Sequence, residues 1–449
     1  MSTSLDKQAL IDAMLKKLRQ QLEEKLPDDN ATLDQIEDAV EDIGTALQRE
    51  LQQRIADQRA KKPRDNRLVC SCGGVARYKA CQSRHVLTRQ GFLSFRRPWY
   101  YCSGCKKGFA PLDQALGLEA SDTTRTLREW SAHLAAHLSF EQSVRTLKTL
   151  TGVSLGETTL EMLSLQVGEA LQKQQYTQSA LHRKGSLPDQ KTACPKRLYV
   201  SVDGVFVPVR DPWKQDGSQG ALTCRYAECK VGVVYETKQD KDGKDSRVAW
   251  QDYVASFQNA EAFTPLVGLL AHKNGHHAAR EVVFLSDGAT WIKHLAGREF
   301  PTAVHIVDFF HAAEHLARVA EARFGKDTPE SHAWQEARQK ELKTGQLPTV
   351  LREITAWHPS NEQKRKIRQE EYAYFRKNAP RMQYQTYLER GYHIGSGVVE
   401  ATCKRVVAQR LDQAGMHWRQ ETAEAIVALR AAQLSSHAPD LKPYCTIPN

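Results

Sequence analysis

Three acidic residues sit in settings where carboxylates do chemistry. Asp203 lies within Leu198-Tyr199-Val200-Ser201-Val202-Asp203-Gly204-Val205-Phe206-Val207, a run of β-branched and aromatic residues with an acid and a glycine at its heart. Such a run reads as a buried strand, and the glycine lets another group approach the backbone beside the acid. Asp287 repeats the pattern after Val282-Val283-Phe284-Leu285-Ser286 and is followed by Gly288; Glu400 comes after Gly395-Ser396-Gly397-Val398-Val399 and opens a helical run to Arg410. A single Asp-Gly pair is usually only a turn. Three carboxylates launched from separate elements repel one another unless cations lie between them, and hard oxygen ligands select Mg2+ or Mn2+. The expectation is a two-ion site, with Asp203 bridging and Asp287 and Glu400 holding one ion each, a donor set suited to phosphodiester hydrolysis and transfer.

A second set of residues has the spacing of metal ligands. Cys70-Ser71-Cys72 and Cys102-Ser103-Gly104-Cys105 are two close cysteine pairs bracketing a segment of β-branched, aromatic and arginine residues. Four thiolates on two tight turns joined by a hairpin make a zinc ribbon with one structural Zn2+, although the first pair is CxC where CxxC is usual. Cys81 and His85 lie mid-segment and are set aside as ligands. The same segment mixes Arg89, Arg96, Arg97, Lys106 and Lys107 with Phe92, Trp99 and Tyr100, which suits a DNA backbone, though solvated charges around a small core would look alike. Lys404, Arg405 and Arg410 follow Glu400 at helical spacing and are further candidates for phosphate contact.

The elements that position these groups follow from periodicity. Two helical runs, Ser4 to Leu26 and Thr32 to Arg59, separated by Pro27-Asp28-Asp29-Asn30, predict a helical hairpin over residues 1–62, packed on the body or self-associating. The zinc-ribbon module spans 66–112. Three helical runs, Thr123 to Leu138, Phe140 to Leu150 and Gly156 to Lys173, with a turn at Thr151-Gly152, fit a helix-turn-helix over 118–173. Residues 174–197 read as a linker, since they lack periodicity and carry Gly185, Pro188 and Pro195. A polar excursion from Asp211 to Gly220 follows the Asp203 strand. Three consecutive strands, then helix, strand, helix, strand, is the order of a ribonuclease-H-like (RNase H-like) fold, in which the first and fourth strands lie side by side and bring Asp203 and Asp287 together. That core is expected over 198–311, with an all-α insertion at 312–390, its final helix within 391–435 and a loose tail at 436–449. The fold class expected is therefore multidomain α+β.

Bulk properties agree with these readings. The chain of 449 residues has a formal net charge of +10, 41% hydrophobic and 26% charged residues. That composition suits a globular protein, and its basic balance favours a polyanionic partner. No apolar run approaches the roughly 20 residues of a membrane span, and the N-terminus lacks a signal-peptide core, so a cytoplasmic, nucleoid-associated location is expected.

Asp203-Gly204, Ser286-Asp287-Gly288-Ala289, Asp308-Phe309-Phe310-His311 and Gly395-Ser396-Gly397-Val398-Val399-Glu400, followed by Arg410 and Gly415-Met416-His417-Trp418, resemble insertion-sequence transposases of the ISKra group, relatives of the Mutator-like DDE enzymes. The resemblance implies an enzyme that cuts and joins DNA at its element's terminal inverted repeats and in target DNA. It also implies two Mg2+ or Mn2+ ions on a triad at Asp203, Asp287 and Glu400, and a homodimer or higher oligomer on DNA. Asp308 and His311 would be the group's DxxH signature near the catalytic centre, with Asp308 a fallback ligand. Two other readings compete. One is a catalytically inactive DNA-binding regulator derived from such an enzyme. The other takes His311-Ala312-Ala313-Glu314-His315 as the HxxEH of an inverted zinc peptidase, a five-residue pattern that arises by chance.

Overall fold

The computed structural model describes residues 6–60, 65–118, 121–187, 194–210 and 224–446, so the predicted excursion after Arg210 falls outside the described residues. Contacts divide the chain into two compact units, Met1–Val167 with Leu441–Asn449, and Gly168–Asp440. The architecture is mixed α+β, with two separate sheets and many helices. Among the described residues, no helix is long and apolar enough to cross a membrane.

The first unit opens with α1 (Lys7–Lys25) and α2 (Leu33–Ala60), the expected hairpin. An antiparallel sheet follows in the order β1 (Arg67–Val69), β2 (Val75–Thr88), β3 (Gly91–Cys102) and β4 (Lys107–Phe109). Ala56 of α2 packs into the small core of Val86, Leu93, Phe95 and Leu118, and Gln53 donates to the Ser94 carbonyl at 2.6 Å, so α2 lies against β3. After α3 (Pro111–Ala115) come α4 (Arg125–His137), α5 (Phe140–Thr151) and α6 (Glu157–Arg183). A capping box between Ser139 and Gln142 starts α5, and Gly152, at φ 67°, ends it in the left-handed conformation that glycine adopts without strain.

α6 runs ten residues beyond the predicted end at Lys173, which corrects the linker. Its later turns bury polar or small side chains: Gln172 donates to Glu424 at 2.5 Å, the Tyr176 and Ser256 hydroxyls are 3.2 Å apart, and Ser179 is buried. A helix face built from such residues leaves no hydrophobic period to read.

The second unit is built on a five-stranded sheet: β5 (Arg197–Arg210), β6 (Cys224–Gln239), β7 (Asp245–Ser256), then, after α7 (Ala260–Lys273), β8 (Glu281–Ser286), and, after α8 (Thr290–Glu299), β9 (Val304–Val307). The spatial order is β7-β6-β5-β8-β9, with β5, β8 and β9 mutually parallel and β6 antiparallel to its neighbours. Leu198, Val200 and Val202 face a core of Phe263, Leu266 and Val267 from α7 and Ile292 and Leu295 from α8. Strand side chains alternate, so Tyr199, Ser201 and Asp203 share the opposite face. There Tyr199 stacks on Tyr235, its cross-strand partner, with ring centroids 4.9 Å apart.

Between β9 and Glu400 the described chain is helical: α9 (Phe309–Phe324), α10 (Pro329–Lys343), α11 (Leu347–Ala356), α12 (Glu362–Asn378) and α13 (Tyr384–Glu389). The run starts three residues before the expected boundary because Asp308 caps α9. The expected final helix is instead two: an unbroken one that is α-helical in α14 (Gly397–Thr402), π-helical over Cys403–Ala408 and α-helical again in α15 (Gln409–Leu411), and then α16 (Gln420–Leu434). The predicted loose tail is partly docked. Ser436 and His437 hydrogen-bond to Gln251 and Asp252 at the edge of β7, and Leu441 and Cys445 are buried in the other unit.

Close backbone packing gives a direct stability test. A Cβ on Gly168 would meet the Ala425 carbonyl oxygen of α16 at 2.6 Å, whereas one on Gly297 in α8 would meet nothing within 4 Å. Gly168→Ala is expected to destabilise by about 1–3 kcal/mol, and Gly297→Ala to stabilise by up to about 1 kcal/mol through helix propensity. Urea unfolding of the two variants beside the parent checks both signs.

Candidate active site and metal centre

β5 and β8 pair in parallel with Ser201 opposite Leu285, and Asp203 and Asp287 each lie two residues beyond that pair. Register alone therefore brings the two carboxylates to one level of the sheet. Asp203 is half-buried; its Oδ1 accepts the Gly204 N–H at 2.7 Å, and its Oδ2 lies 3.9 Å from the Cys403 thiol. Asp287 accepts the Ala289 N–H at 2.8 Å across Gly288, whose φ of 93° requires glycine at that tight turn. Glu400 is exposed on α14, with Oε1 accepting from the Ser396 hydroxyl at 2.7 Å.

Asp203 feels the other two acids. Burial first, and then the charges of Asp287 and Glu400, push the Asp203 carboxyl up to about 6, against the pull of the Gly204 N–H and His311. Burial, followed by Asp203 and Glu400, likewise raises the Cys403 thiol. Among the described residues, the clusters with ligand atoms all within 4.8 Å of one another are made by cysteines and histidines; the carboxylates are set more openly.

Asp308 is fully buried. Its Oδ1 accepts the His311 N–H at 2.7 Å and its Oδ2 accepts the Ser396 N–H, so it fastens the turn before Glu400 to the start of α9. With both oxygens engaged by backbone donors, it positions the segment that carries Glu400. His311 stays close enough to influence Asp203, and its Nδ1 lies 3.4 Å from Glu314. His315 bonds Glu371 through Nδ1 and stacks on Tyr374 at 3.5 Å, while Glu314 is largely exposed.

Side chains that sequence patterns did not single out complete the surroundings. Gly204 leaves room for Glu228, whose Oε1 would lie 2.4 Å from a Cβ there, and Glu228 pairs with buried Lys230 at 2.7 Å. From the helical insertion, the Tyr374 hydroxyl donates to the Asp287 carbonyl at 3.4 Å, Lys377 donates to Thr290 at 3.2 Å, and Arg381 lies within electrostatic reach of Asp287. The two-residue spacing of Glu228 and Lys230, which puts opposite charges on one face of a strand, was the available signal for the first pair; nothing local marks the second group.

The cysteines converge in the other unit. Cys70 and Cys105 sulfurs lie 3.6 Å apart and those of Cys72 and Cys102 3.7 Å apart. Tetrahedral Zn–S bonds of about 2.3 Å imply S···S separations of about 3.75 Å. A Cβ on Gly74 would come within 3.2 Å of Cys102 Sγ and 3.3 Å of Cys72 Sγ, so the glycine keeps the cradle open. The Cys72 backbone N–H leads in pulling the Cys70 thiol down, while, against the pull of the Lys107 backbone N–H, burial and the neighbouring thiols push its partner Cys105 up, so the pair shares one proton between close sulfurs. Cys81 is exposed and outside the cluster.

The model of the family described as "Uncharacterised protein family (UPF0236)" matches residues 32–439, most of the chain. The chain belongs to UPF0236. A UPF0236 relative, "UPF0236 protein in vanSb 3'region" of Streptococcus gallolyticus, is 26% identical over 360 residues, covering 78% of this chain and 73% of its own length. Among solved structures, the Drosophila P element transposase strand transfer complex matches 72% of this chain and 81% of its own at 10% identity, with a TM-score of 0.23, too low to speak for a shared fold.

In this UPF0236 chain two of the predicted DNA contacts are structural. Arg97 is buried, bonds Asp113 at 2.8 Å and donates to the Gln82 and Ser83 carbonyls. Arg410 is buried over the Trp418 ring at 4.9 Å, and desolvation pulls it down to about 10. Arg96, Lys404 and Arg405 are exposed, the last two on the π-helical stretch just after Glu400. Tyr100 is core, its hydroxyl donating to the Asp65 carbonyl at 2.9 Å, whereas Phe92 is exposed.

The raised Asp203 carboxyl predicts a pH dependence. Its unfolded value is near 3.8 and its folded value about 6, so the folded state binds more protons between them. In buffer without divalent cations, stability should fall as pH rises from about 4 to about 6, with the penalty fully present above that window. Asp203→Asn should therefore be more stable than the parent at pH 7 by about 1–3 kcal/mol, and this gain should vanish below pH 4. Thermal denaturation across that range measures it.

Proposed function

We propose that the chain is a DDE transposase of the ISKra-group type, which binds the ends of its insertion sequence and catalyses DNA strand cleavage and strand transfer. The observation that carries this is the register that sets Asp203 and Asp287 at one end of the adjacent parallel strands β5 and β8, with Glu400 at the start of α14 near enough to act on Asp203. A strand order of β7-β6-β5-β8-β9 with helices before the last acid supports an RNase H-like core with an all-α insertion. The donor set fits Mg2+ or Mn2+: three carboxylates, each with one oxygen held by its own segment, and an Asp203 carboxyl raised by burial first and then by the other two charges. Asp203, Asp287 and Glu400 would hold two such ions, which supply nucleophile activation and leaving-oxygen stabilisation.

The protein's own part is orientation and charge. Asp308 holds the Ser396 turn and Ser396 holds Glu400, so the third acid is aimed from a fixed point. His311 offsets the negative charge at Asp203. Lys404 and Arg405, exposed beside Glu400, are suited to the phosphates flanking the cut. Cys70, Cys72, Cys102 and Cys105 are suited to one structural Zn2+ that ties the two ends of the β2–β3 hairpin. With α4, α5 and α6 as a helix-turn-helix, and Arg96 exposed, the front of the chain would bind the terminal inverted repeats. Target DNA would engage the carboxylate face, on a homodimer or higher oligomer in the nucleoid-associated cytoplasm.

With DNA carrying the element's ends, Mg2+-dependent nicking and joining are expected, and Asp203→Ala, Asp287→Ala and Glu400→Ala should each lower the rate at least about a hundredfold with DNA binding retained. Glu314→Ala should leave it unchanged. Tight binding without any Mg2+-dependent cleavage by the parent would instead identify a DNA-binding regulator. For the cysteine cluster, Cys102→Ser should lose one equivalent of bound zinc relative to the parent, and with it the thiolate-to-metal charge-transfer band of the Co2+ form, read by elemental analysis and absorption.

A further inference from the structure

At the far end of β8 from Asp287, three histidines gather without any role in the chemistry above. His272 lies in the last turn of α7, and His276 and His277 in the turn that follows. Gly275, at φ 74°, lets the chain curl back: the Gly275 N–H donates to the His272 carbonyl at 3.0 Å, and the His276 N–H to the Ala271 carbonyl at 3.0 Å. One ring nitrogen from each histidine then lies within 4.8 Å of the others, with ring centroids 5.3–6.4 Å apart.

Histidines often pack as neutral core residues, but their ring nitrogens then find partners. Here His272 Nε2 and His276 Nδ1 are both buried and find no hydrogen-bond partner among the described residues, an arrangement that folded proteins avoid unless another ligand satisfies it. The helix C-terminus contributes partial negative charge where a cation would sit. His276 and His277 also line a cleft of about 630 Å³ shared with Glu281 and Glu299. Glu281 is engaged already, accepting from Arg197 Nε and from the Tyr392 hydroxyl at 3.0 Å each, so the cleft side is left for water or another small ligand.

We propose that His272, His276 and His277 form a second transition-metal site, of the imidazole-preferring class of Zn2+, Co2+ and Ni2+, with a coordination position open to the cleft. Neutral nitrogen donors with no carboxylate in the set disfavour Mg2+ and Ca2+. The six residues of β8 separate this cluster from Asp287 by about 17–20 Å along the strand. The site is therefore separate from the carboxylates, and it ties the end of α7 to the turn that launches β8.

Titrating the untagged, metal-free full chain with Co2+ tests this. Two equivalents are expected: one with thiolate charge-transfer bands from the cysteines, and one with d–d bands alone. His276→Gln and His277→Gln should each weaken the second by at least tenfold and leave the first intact. His277 is exposed, so that variant should keep the parent's circular dichroism. Loss of the charge-transfer equivalent alone would count against zinc at the cysteines and leave the histidine site standing. No d–d equivalent in the parent, or one that survives both substitutions, would overturn the proposal.

Discussion

The placing of the three acids depends on a fourth carboxylate that solvent does not reach. Asp308 accepts the backbone N–H groups of His311 and Ser396, its own N–H donates to the Ser286 carbonyl at 2.7 Å, and Phe309 next door donates to the Ile394 carbonyl at 2.8 Å. The end of β8, the start of α9 and the turn before α14 thus meet at one residue. Hydrogen bonds to an ionised carboxylate are roughly twice as strong as neutral ones, and a buried N–H stripped of its acceptor is costly. Asp287 leaves β8 just before this junction and Glu400 enters α14 just after it. The distance in sequence between these two acids is therefore closed by backbone contacts, with the acids themselves contributing only repulsion.

That repulsion is tempered from the insertion side. Tyr374 and Lys377 fix α12 to the residues flanking Asp287, and Arg381 sits close by, its guanidinium partly desolvated and lowered for that reason. Gly288 leaves room for Asn378, which lies 3.4 Å from where its Cβ would be. The helical segment is thus part of the wall of the carboxylate site, although it is remote from Asp203 in the chain.

Some of this was legible in the sequence for a physical reason. Alternating apolar residues around Asp203 and the apolar run before Asp287 report strands directly, and the order of elements is enough to put β5 beside β8. Cysteine pairs report a cluster because spacing alone sets their reach. Charge is different. Arg96 and Arg97 are adjacent and chemically alike, yet one is exposed and the other buried on Asp113, a distinction made by strand alternation and by a partner sixteen residues on. Arg410 looked like its neighbours Lys404 and Arg405 until Trp418 returned to cover it. The later turns of α6 were missed because they are largely polar: Tyr176, which packs on the sheet's core and bonds Ser256, and the buried Ser179 are too few apolar positions to make a period.

The π-helical stretch Cys403–Ala408 begins three residues after Glu400, and the Arg405 carbonyl within it takes two N–H groups of Arg430, at 3.0 and 2.6 Å. A wide turn of this kind holds more residues than an α-helical turn over the same rise. Excising any one of them would let the segment wind down into ordinary helix, and each residue of helix carries about 100° of rotation. Glu400 and the buried Val406 and Val407 would then be dialled out of phase with one another. Surface loops of proteins commonly tolerate a change in length, but here the number of residues itself fixes which way Glu400 faces relative to the buried side of its helix.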